Sequence, residues 1–262
     1  MNELAVMLGL ALLCSSPGFW RVVFFVSYGY GISVTVLCAA ALCMVPEGLG
    51  PVSVLHAAFV MLYGVRLTKF IAERDRKPGY AEAIRELRAM ERRIGPLKRV
   101  FIWVACAALY VCMASPVLFG LQHGLGGSFA TWGIALMLGG LALEWEADRE
   151  KSRFKDKHPR RYCDQGLYRA CRHPNYLGEI IFWCGVFVTG IPAYAAPLHW
   201  GLASLGLVCI VLIMLGSTRR LEQEQRQRYA DTPGFDSYAA TTPVLFPGVP
   251  LYTLRHMPIV IG

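Results

Sequence analysis

Long apolar stretches divide this chain, and they constrain its fold more than any other feature. Six of them lie at approximately 20–45, 51–71, 98–121, 127–145, 177–195 and 198–216, and a shorter one covers about 3–16. A helix needs roughly 17–25 residues to cross a hydrocarbon core about 30 Å thick. Because 55% of the residues are hydrophobic, the sequence predicts an all-α integral membrane bundle of about seven transmembrane helices, with residues 1–262 forming a single membrane domain.

The basic residues lie in three blocks between these stretches. Of 26 Lys and Arg, 11 lie in 66–99, nine in 149–172 and four in 219–228. Lys and Arg are retained on the cytoplasmic side of a membrane, so the blocks predict an N-out, C-in topology, with Arg21 also in the cytosol. The net charge of +8 is then explained without nucleic acid, either by topology alone or also by an anionic ligand on that face.

The cysteines and the termini of the chain give no sign of other chemistry. The nine cysteines occur singly and no CxxC is present, so we expect neither structural zinc nor disulfides. The first apolar stretch lacks a basic region before it and is interpreted as a helix rather than a signal peptide. Residues 80–94 have the three-and-four spacing of an amphipathic helix. Long helices without a cleavable signal suit a bacterial inner membrane.

Charged side chains continue directly from the apolar stretch that ends near residue 145. Asp148, Lys151 and Lys155 share a helix face with Glu144, because residues three and four apart are neighbours on a helix. Acidic groups at the edge of the apolar region are costly unless they face the bundle interior or a watery cavity. Glu144 and Glu146 therefore indicate a functional site.

The most informative segment is 165–179, which leads into the next apolar stretch. Pro174 disfavours helix at the residue before it and is itself favoured in a first helical turn. Arg172, His173 and Asn175 should then cluster at a helix N-terminus, where backbone N–H groups attract anions. Glu179 follows within the membrane depth, where an ionisable residue is a functional candidate by default.

This segment carries a resemblance to a known group of enzymes. The pattern Gly-Leu-Tyr-Arg-x-x-Arg-His-Pro-Asn-Tyr-x-Gly-Glu, at residues 166–179, resembles the signature of bacterial membrane proteins that group with steroid 5-alpha-reductases and sterol reductases. The resemblance extends over about 63–247, and residues 127–247 carry the cofactor motif. A similar pattern occurs in isoprenylcysteine carboxyl methyltransferases. The first reading implies NADPH and the second implies S-adenosylmethionine, each in a cytosol-facing cavity.

The reductase resemblance also implies residue roles. Tyr63 would polarise a substrate carbonyl, Arg66 would help to hold the cofactor, and Glu179 would be the second catalytic residue. Phosphate groups would be bound by basic side chains. The full set of implied cofactor-binding residues is Arg66, Asp148, Lys151, Lys155, Arg161, Arg172, His173, Asn175, Tyr176, Glu179, Trp183 and Glu222.

Three features depart from the reductase pattern. The Asn that the reductases carry near the counterpart of Asp148 is replaced by Glu144 or by nothing. Residues 217–222, ending at Glu222, stand where the reductases carry His and Tyr, and their substrate-side Glu has only Glu47 as a possible counterpart. The implied reaction is NADPH-dependent reduction of a carbon–carbon double bond conjugated to a carbonyl in a steroid-like or other apolar lipid. The alternatives are S-adenosylmethionine-dependent methylation of a lipid or prenyl thiol end, and a non-catalytic protein that binds membrane lipids.

Overall fold

The computed structural model describes residues 2–76, 84, 85, 88, 91 and 93–256, and these residues form helices and connecting loops with no strand. Most of the amphipathic helix predicted over 80–94 lies outside the described residues. The α-helices are α1 (Asn2–Ser15), α2 (Val23–Val26), α3 (Tyr28–Met44), α4 (Pro51–Asp75), α5 (Pro96–His123), α6 (Gly127–Lys157), α7 (Pro174–Gly190), α8 (Pro197–Arg228) and α9 (Phe235–Thr241). Short 3-10 turns cover Ser16–Phe19, Pro46–Gly48, Gly166–Arg169 and Ile191–Ala193.

The all-helical membrane fold is confirmed. In the part of the chain that the structure describes, five segments are long and apolar enough to span a bilayer, namely α4, α5, α6, Pro174–Ala193 and α8. Two further apolar helices, Glu3–Phe19 and Tyr28–Met44, are shorter. The predicted count of about seven thus separates into five long helices and two short ones. The N-out, C-in orientation stays a prediction.

The predicted stretch at 20–45 is interrupted in the structure. Helix α2 ends at Val26, and α3 begins only after Ser27, whose φ and ψ of −112° and −88° are not helical. The Ser27 hydroxyl donates to the Val23 carbonyl at 2.8 Å. Serine side chains that bond nearby backbone compete with regular helix, so the apolar stretch is divided at this residue.

Helices α6 and α8 continue well beyond the apolar stretches that predicted them. Their added residues, 146–157 and 217–228, are mainly charged or polar. Glu, Gln, Lys and Arg are good helix formers, so each helix can continue beyond the end of its apolar stretch. At about 1.5 Å per residue, the 31 residues of α6 extend about 46 Å, roughly 16 Å more than the hydrocarbon core.

The helices group into two compact units, each described by itself. The first comprises Met1–Ile134 and Val186–Leu207. Within it α3 and α4 pack backbone against backbone, since a Cβ on Gly64 would lie 2.5 Å from the carbonyl oxygen of Gly31. At one end, Arg21 lies 3.6 Å from the carboxylate of Glu91. This contact agrees with the prediction that Arg21 lies on the side of the first basic block.

The second unit comprises Ala135–Gly185 and Val208–Gly262. Here α6 and α7 cross closely, because a Cβ on Gly140 would lie 2.6 Å from the carbonyl oxygen of Gly178. Helix α8 ends at Arg228, and Gly234 (φ +83°) precedes α9. Residues 243–254 then return to the start of α7.

Candidate active site

The segment that carries the motif is fastened to the C-terminal part of the second unit. Helix α7 begins at Pro174, which confirms the start predicted from the proline. The N–H groups of Arg172 and His173 donate to the carbonyls of Pro243 and Val244 at 2.9 and 3.1 Å. The backbone before the helix is therefore paired with residues 71 positions later, and this pairing fixes the direction in which α7 starts.

Arg172 is held in a buried ion pair. Its Nη2 lies 2.9 Å from Oε1 of Glu222, and the two side chains are only 1% and 0% exposed. The same nitrogen donates to the carbonyl oxygen of Tyr252 at 2.5 Å, and the other Glu222 oxygen accepts the N–H of Leu254 at 2.7 Å. The structure thus brings together two predicted cofactor-binding residues, and their pairing also fastens residues 252–254.

Several buried polar atoms at the start of α7 have no hydrogen-bond partner among the described residues. They are Nε and Nη1 of Arg172, Nε2 of His173 and Oδ1 of Asn175. Burial lowers the pKa of His173 well below its usual value, and the positive charges of Lys151 and Arg172 lower it further. The imidazole is therefore neutral, with one nitrogen as donor and one as acceptor. Together these atoms offer both donors and acceptors.

The next turns of α7 carry the predicted residues into the interior of the second unit. Tyr176 is half-buried, and its ring stacks on His173 with centroids 5.8 Å apart. Glu179 and Trp183 are 6% and 3% exposed. Gly178 permits this, because a Cβ there would lie 2.7 Å from the backbone nitrogen of Glu144 on α6. The close neighbour of Gly178 is helix α6.

The basic residues of α6 have unequal surroundings. The ammonium of Lys151 lies 5.9 Å from the ring centre of Tyr168, within a cation–π distance. The Lys151 ammonium also interacts electrostatically with the charges of Asp148, Lys155 and Arg228. Lys151 is thus part of a mixed charged group in which Asp148, 8% exposed, is the acidic member.

Lys155 contacts protein groups rather than open solvent. Its ammonium donates to the Tyr229 hydroxyl at 2.5 Å and to the carbonyl oxygen of Arg161. These bonds hold the loop after α6 against the end of α8. The phosphate-binding role implied for Lys155 would therefore require it to exchange these partners for a ligand.

Arg161 lies at the surface. Its guanidinium is 3.4 Å from Asp164, and its side chain is 52% exposed. Arg161 and Arg169 line a depression of about 520 Å³, together with Asp164, Gln165 and Gly166. Of the implied phosphate-binding residues on this loop, Arg161 is directly accessible to a ligand.

Sequence reasoning missed the residues that shape the 165–169 turn. The carboxylate of Glu150 accepts the N–H of Leu167 at 2.8 Å. Tyr168 donates to the carbonyl of Ala147, and Tyr238 donates to the carbonyl of Tyr168. Burial raises the pKa of both phenols, so they remain protonated donors. The Gly-Leu-Tyr-Arg part of the motif is thus a structural turn, signalled in the sequence only by its tyrosine.

Tyr63 and Arg66 belong to the first unit. They lie three residues apart on α4, where such residues share a face. Tyr63 is fully buried, and its hydroxyl accepts a hydrogen bond from Tyr30 at 3.1 Å. Arg66 is half-buried. The roles implied for these residues stay predictions.

Comparison with protein families gives one match that covers most of the chain. Residues 22–242 match the family described as "Protein of unknown function (DUF1295)". The chain belongs to the DUF1295 family. This family is associated with steroid 5-alpha-reductase-like proteins. The DUF1295 match includes every implied site residue from Tyr63 to Glu222, whereas Tyr252 and Leu254 lie beyond it.

A eukaryotic relative shares part of the sequence. An uncharacterized protein of Schizosaccharomyces pombe is 28% identical over 185 residues, which cover 59% of this chain and 53% of the relative. The chain thus matches about half of the length of that protein. No solved structure matches the chain significantly.

Proposed function

We propose that this protein reduces a carbon–carbon double bond conjugated to a carbonyl in a steroid-like or other apolar lipid, with NADPH as the reductant. The observation that carries the proposal is the group of unpaired, buried polar atoms on Arg172, His173 and Asn175. A buried polar group without a hydrogen bond is expensive. Such a group of atoms on neighbouring motif residues is typical of a site for a polar ligand.

The chemistry of these residues fits the proposed cofactor. Arg172 offers N–H donors beyond the nitrogen that binds Glu222, Asn175 offers an amide, and the neutral His173 can donate or accept. Arg161 and Lys151 add positive charge, which suits phosphate groups. In this proposal Asn175 and Glu179 bind the nicotinamide end, and the basic residues bind the phosphates.

Bound NADPH would supply a hydride to the β-carbon of the enone. The α-carbon would take a proton that comes from water, so the double bond would gain two hydrogen atoms, NADPH would become NADP+ and the product would be a saturated ketone. Tyr63 is the proposed donor to the carbonyl oxygen, on which negative charge develops. A tyrosine hydroxyl is a hydrogen-bond donor and can make this hydrogen bond.

The multi-pass membrane location fits an apolar substrate that reaches the protein through the bilayer. The proposal includes a bacterial inner membrane as the location, with the basic blocks in the cytosol, where NADPH is present. Membrane lipids are then neighbours of the protein in addition to its substrate.

The experiment that tests the proposal is a thermal-shift titration of the detergent-purified protein with NADPH, NADH and S-adenosylmethionine. A ligand at about one hundred times its Kd stabilises a protein by about 2.7 kcal/mol. For a protein of this size the expected rise in Tm with NADPH is about 5–11 °C. Asn175→Ala should lose most of this rise, while Arg153→Gln, which removes an exposed charge on α6, should keep it.

Turnover is measured as NADPH oxidation with a 3-oxo-4-ene steroid, and mass spectrometry detects the addition of two hydrogen atoms. Tyr63→Phe should lose turnover while keeping the NADPH-dependent rise in Tm. A rise with S-adenosylmethionine alone would instead support methyl transfer, and no rise with any of the three ligands would support a non-catalytic lipid-binding protein.

A further inference from the structure

Three buried tyrosines from three different helices meet inside the first unit. Tyr30 of α3, Tyr63 of α4 and Tyr110 of α5 are 7%, 0% and 3% exposed. The Tyr30 hydroxyl donates to the Tyr63 hydroxyl at 3.1 Å. The Tyr30 ring stacks on Tyr110, with centroids 5.7 Å apart and planes 15° apart. The orientation of Tyr30 is therefore fixed by a ring on one side and by a hydroxyl at its tip.

Backbone contact between α3 and α4 fixes the distance between the two hydroxyls. Gly31 and Gly64 directly follow Tyr30 and Tyr63, and a Cβ on either glycine would lie 2.8 or 2.5 Å from the carbonyl oxygen of the other. Thr35 and Thr68 bond these two carbonyls within their own helices, both at 2.8 Å. Helices α3 and α4 therefore meet at two glycines, and only glycine permits so close an approach. This contact lies next to the tyrosine pair.

The bond between the phenols gives Tyr63 a defined hydrogen-bonding role. When the Tyr63 oxygen accepts the hydrogen bond of Tyr30, the O–H of Tyr63 must point away from Tyr30. Hydrogen bonds in a chain polarise one another, and cooperative strengthening of about 10–30% per bond is expected inside a protein. Tyr30 therefore makes Tyr63 a stronger and better-directed donor than an isolated phenol would be.

The carboxylate that the reductase resemblance would place near Tyr63 is not supplied by Glu47. Glu47 is exposed, in the 3-10 turn Pro46–Gly48 that precedes α4. Tyr63 lies twelve residues after Pro51, which is about 18 Å along the helix axis. A glutamate side chain cannot cover that distance. The hydrogen-bond donor to Tyr63 is instead Tyr30, a residue that the reductase resemblance did not point to.

We propose that Tyr30 is the positioning residue of Tyr63, directing and polarising its hydroxyl toward the carbonyl oxygen of the substrate. The inference rests on the proposed function and deepens it. In this proposal Tyr30 does not touch the reacting atoms and acts through its hydrogen bond to Tyr63.

The test compares Tyr30→Phe with Tyr194→Phe. Tyr194 is a matched control, because it is also 7% exposed, lies in the first unit, and donates its hydroxyl to a backbone carbonyl, that of Phe187, at 2.8 Å. With NADPH and a 3-oxo-4-ene steroid, Tyr30→Phe should lower kcat about tenfold, equal to about 1.4 kcal/mol, with KM for both substrates within twofold. Tyr194→Phe should leave kcat within twofold. Equal kcat in the two variants overturns the proposal.

A second variant keeps the ring and the hydroxyl at position 30. Difluorotyrosine incorporated there is a more acidic phenol and a stronger donor. The value of kcat should therefore rise in this variant, whereas it falls in Tyr30→Phe. A purely structural role for Tyr30 predicts no such reversal, and its absence counts against the inference.

A third measurement does not depend on turnover. Fluorotyrosine at position 63 gives a fluorine NMR signal that should move in Tyr30→Phe and stay in place in Tyr194→Phe. If the signal moves in Tyr30→Phe, the positioning of Tyr63 is supported. If the protein without the Tyr30 substitution also oxidises no NADPH with the steroid, the result counts against the proposed reaction but not against the positioning role. A signal unchanged in Tyr30→Phe overturns the positioning role whatever the activity.

Discussion

Removing the carboxylate of Glu222 should destabilise the protein strongly. Glu222→Ala leaves the guanidinium of Arg172, only 1% exposed, without its counter-ion at 2.9 Å, and leaves the N–H of Leu254 without its acceptor. Breaking a buried ion pair by removing one partner costs about 3–5 kcal/mol. At about 2–4 °C of Tm per kcal/mol for a chain of this size, the expected fall in Tm is about 6–20 °C.

The matched control is two residues away on the same helix. Glu224 pairs with Arg220 at 3.7 Å, and their side chains are 47% and 55% exposed. Exposed pairs of this kind contribute about 0–1 kcal/mol. Glu224→Ala should therefore lower Tm by less than about 4 °C, and both variants are measured by thermal unfolding in detergent.

A double variant separates the pair from its individual members. Replacing both members of a buried ion pair by apolar residues of similar volume is often neutral or stabilising. Arg172→Met combined with Glu222→Leu should therefore recover much of the stability lost in Glu222→Ala. Hydrogen exchange should rise at Leu254 in the single variant, because its N–H loses its acceptor. A fall in Tm equal to that of Glu224→Ala would refute the reasoning.

Three further predictions concern packing, pH and topology. Gly178→Ala places a Cβ 2.7 Å from the backbone of α6 and should cost about 1–3 kcal/mol, whereas Gly139→Ala, with no atom within 4 Å, should be neutral or stabilising by up to about 1 kcal/mol; thermal unfolding distinguishes them. Because the pKa of His173 is lowered in the folded state, the unfolded state takes up the proton first as pH falls below 6.5, and the free energy of unfolding should fall by up to about 1.4 kcal/mol per pH unit. His173→Asn should flatten this slope in unfolding measured between about pH 7 and 5.5, and an equal slope would contradict the assignment. A cysteine at exposed position Gln122 should react with a membrane-impermeant maleimide in intact cells, whereas one at exposed Arg76 should react only after lysis; the reverse pattern would invert the topology.

Much of the fold could be predicted from the sequence because the signals are local. Hydrophobic length predicted α4, α5 and α7 closely, and the proline at 174 predicted where α7 starts. The ends of α6 and α8 were placed too early. Hydrophobicity indicates which part of a helix lies in the membrane, but it does not indicate where the helix itself ends. The break at Ser27 was missed. A single serine hydroxyl that bonds the nearby backbone hardly changes the hydropathy averaged over the whole stretch.

The candidate site was less predictable because its contacts join distant residues. Arg172 and Glu222 are fifty positions apart, and Tyr30 and Tyr63 are 33 apart. A local pattern marks each of these residues as unusual without naming its partner. Lys155 shows the same limit, because a basic side chain on a helix face cannot be assigned to a ligand or to Tyr229 from spacing alone.

The ion pair of Arg172 has a consequence for the order in which the protein matures during synthesis. The guanidinium leaves the ribosome fifty residues before its carboxylate partner, and eighty residues before the carbonyl of Tyr252. In that interval the arginine has to stay hydrated or be held by another group, since burying it alone is unfavourable. The segment 165–179 is therefore among the last parts of the second unit to reach its final packing. Chains interrupted before Glu222 would present an unfinished site to cellular proteases, although their earlier helices were already inserted.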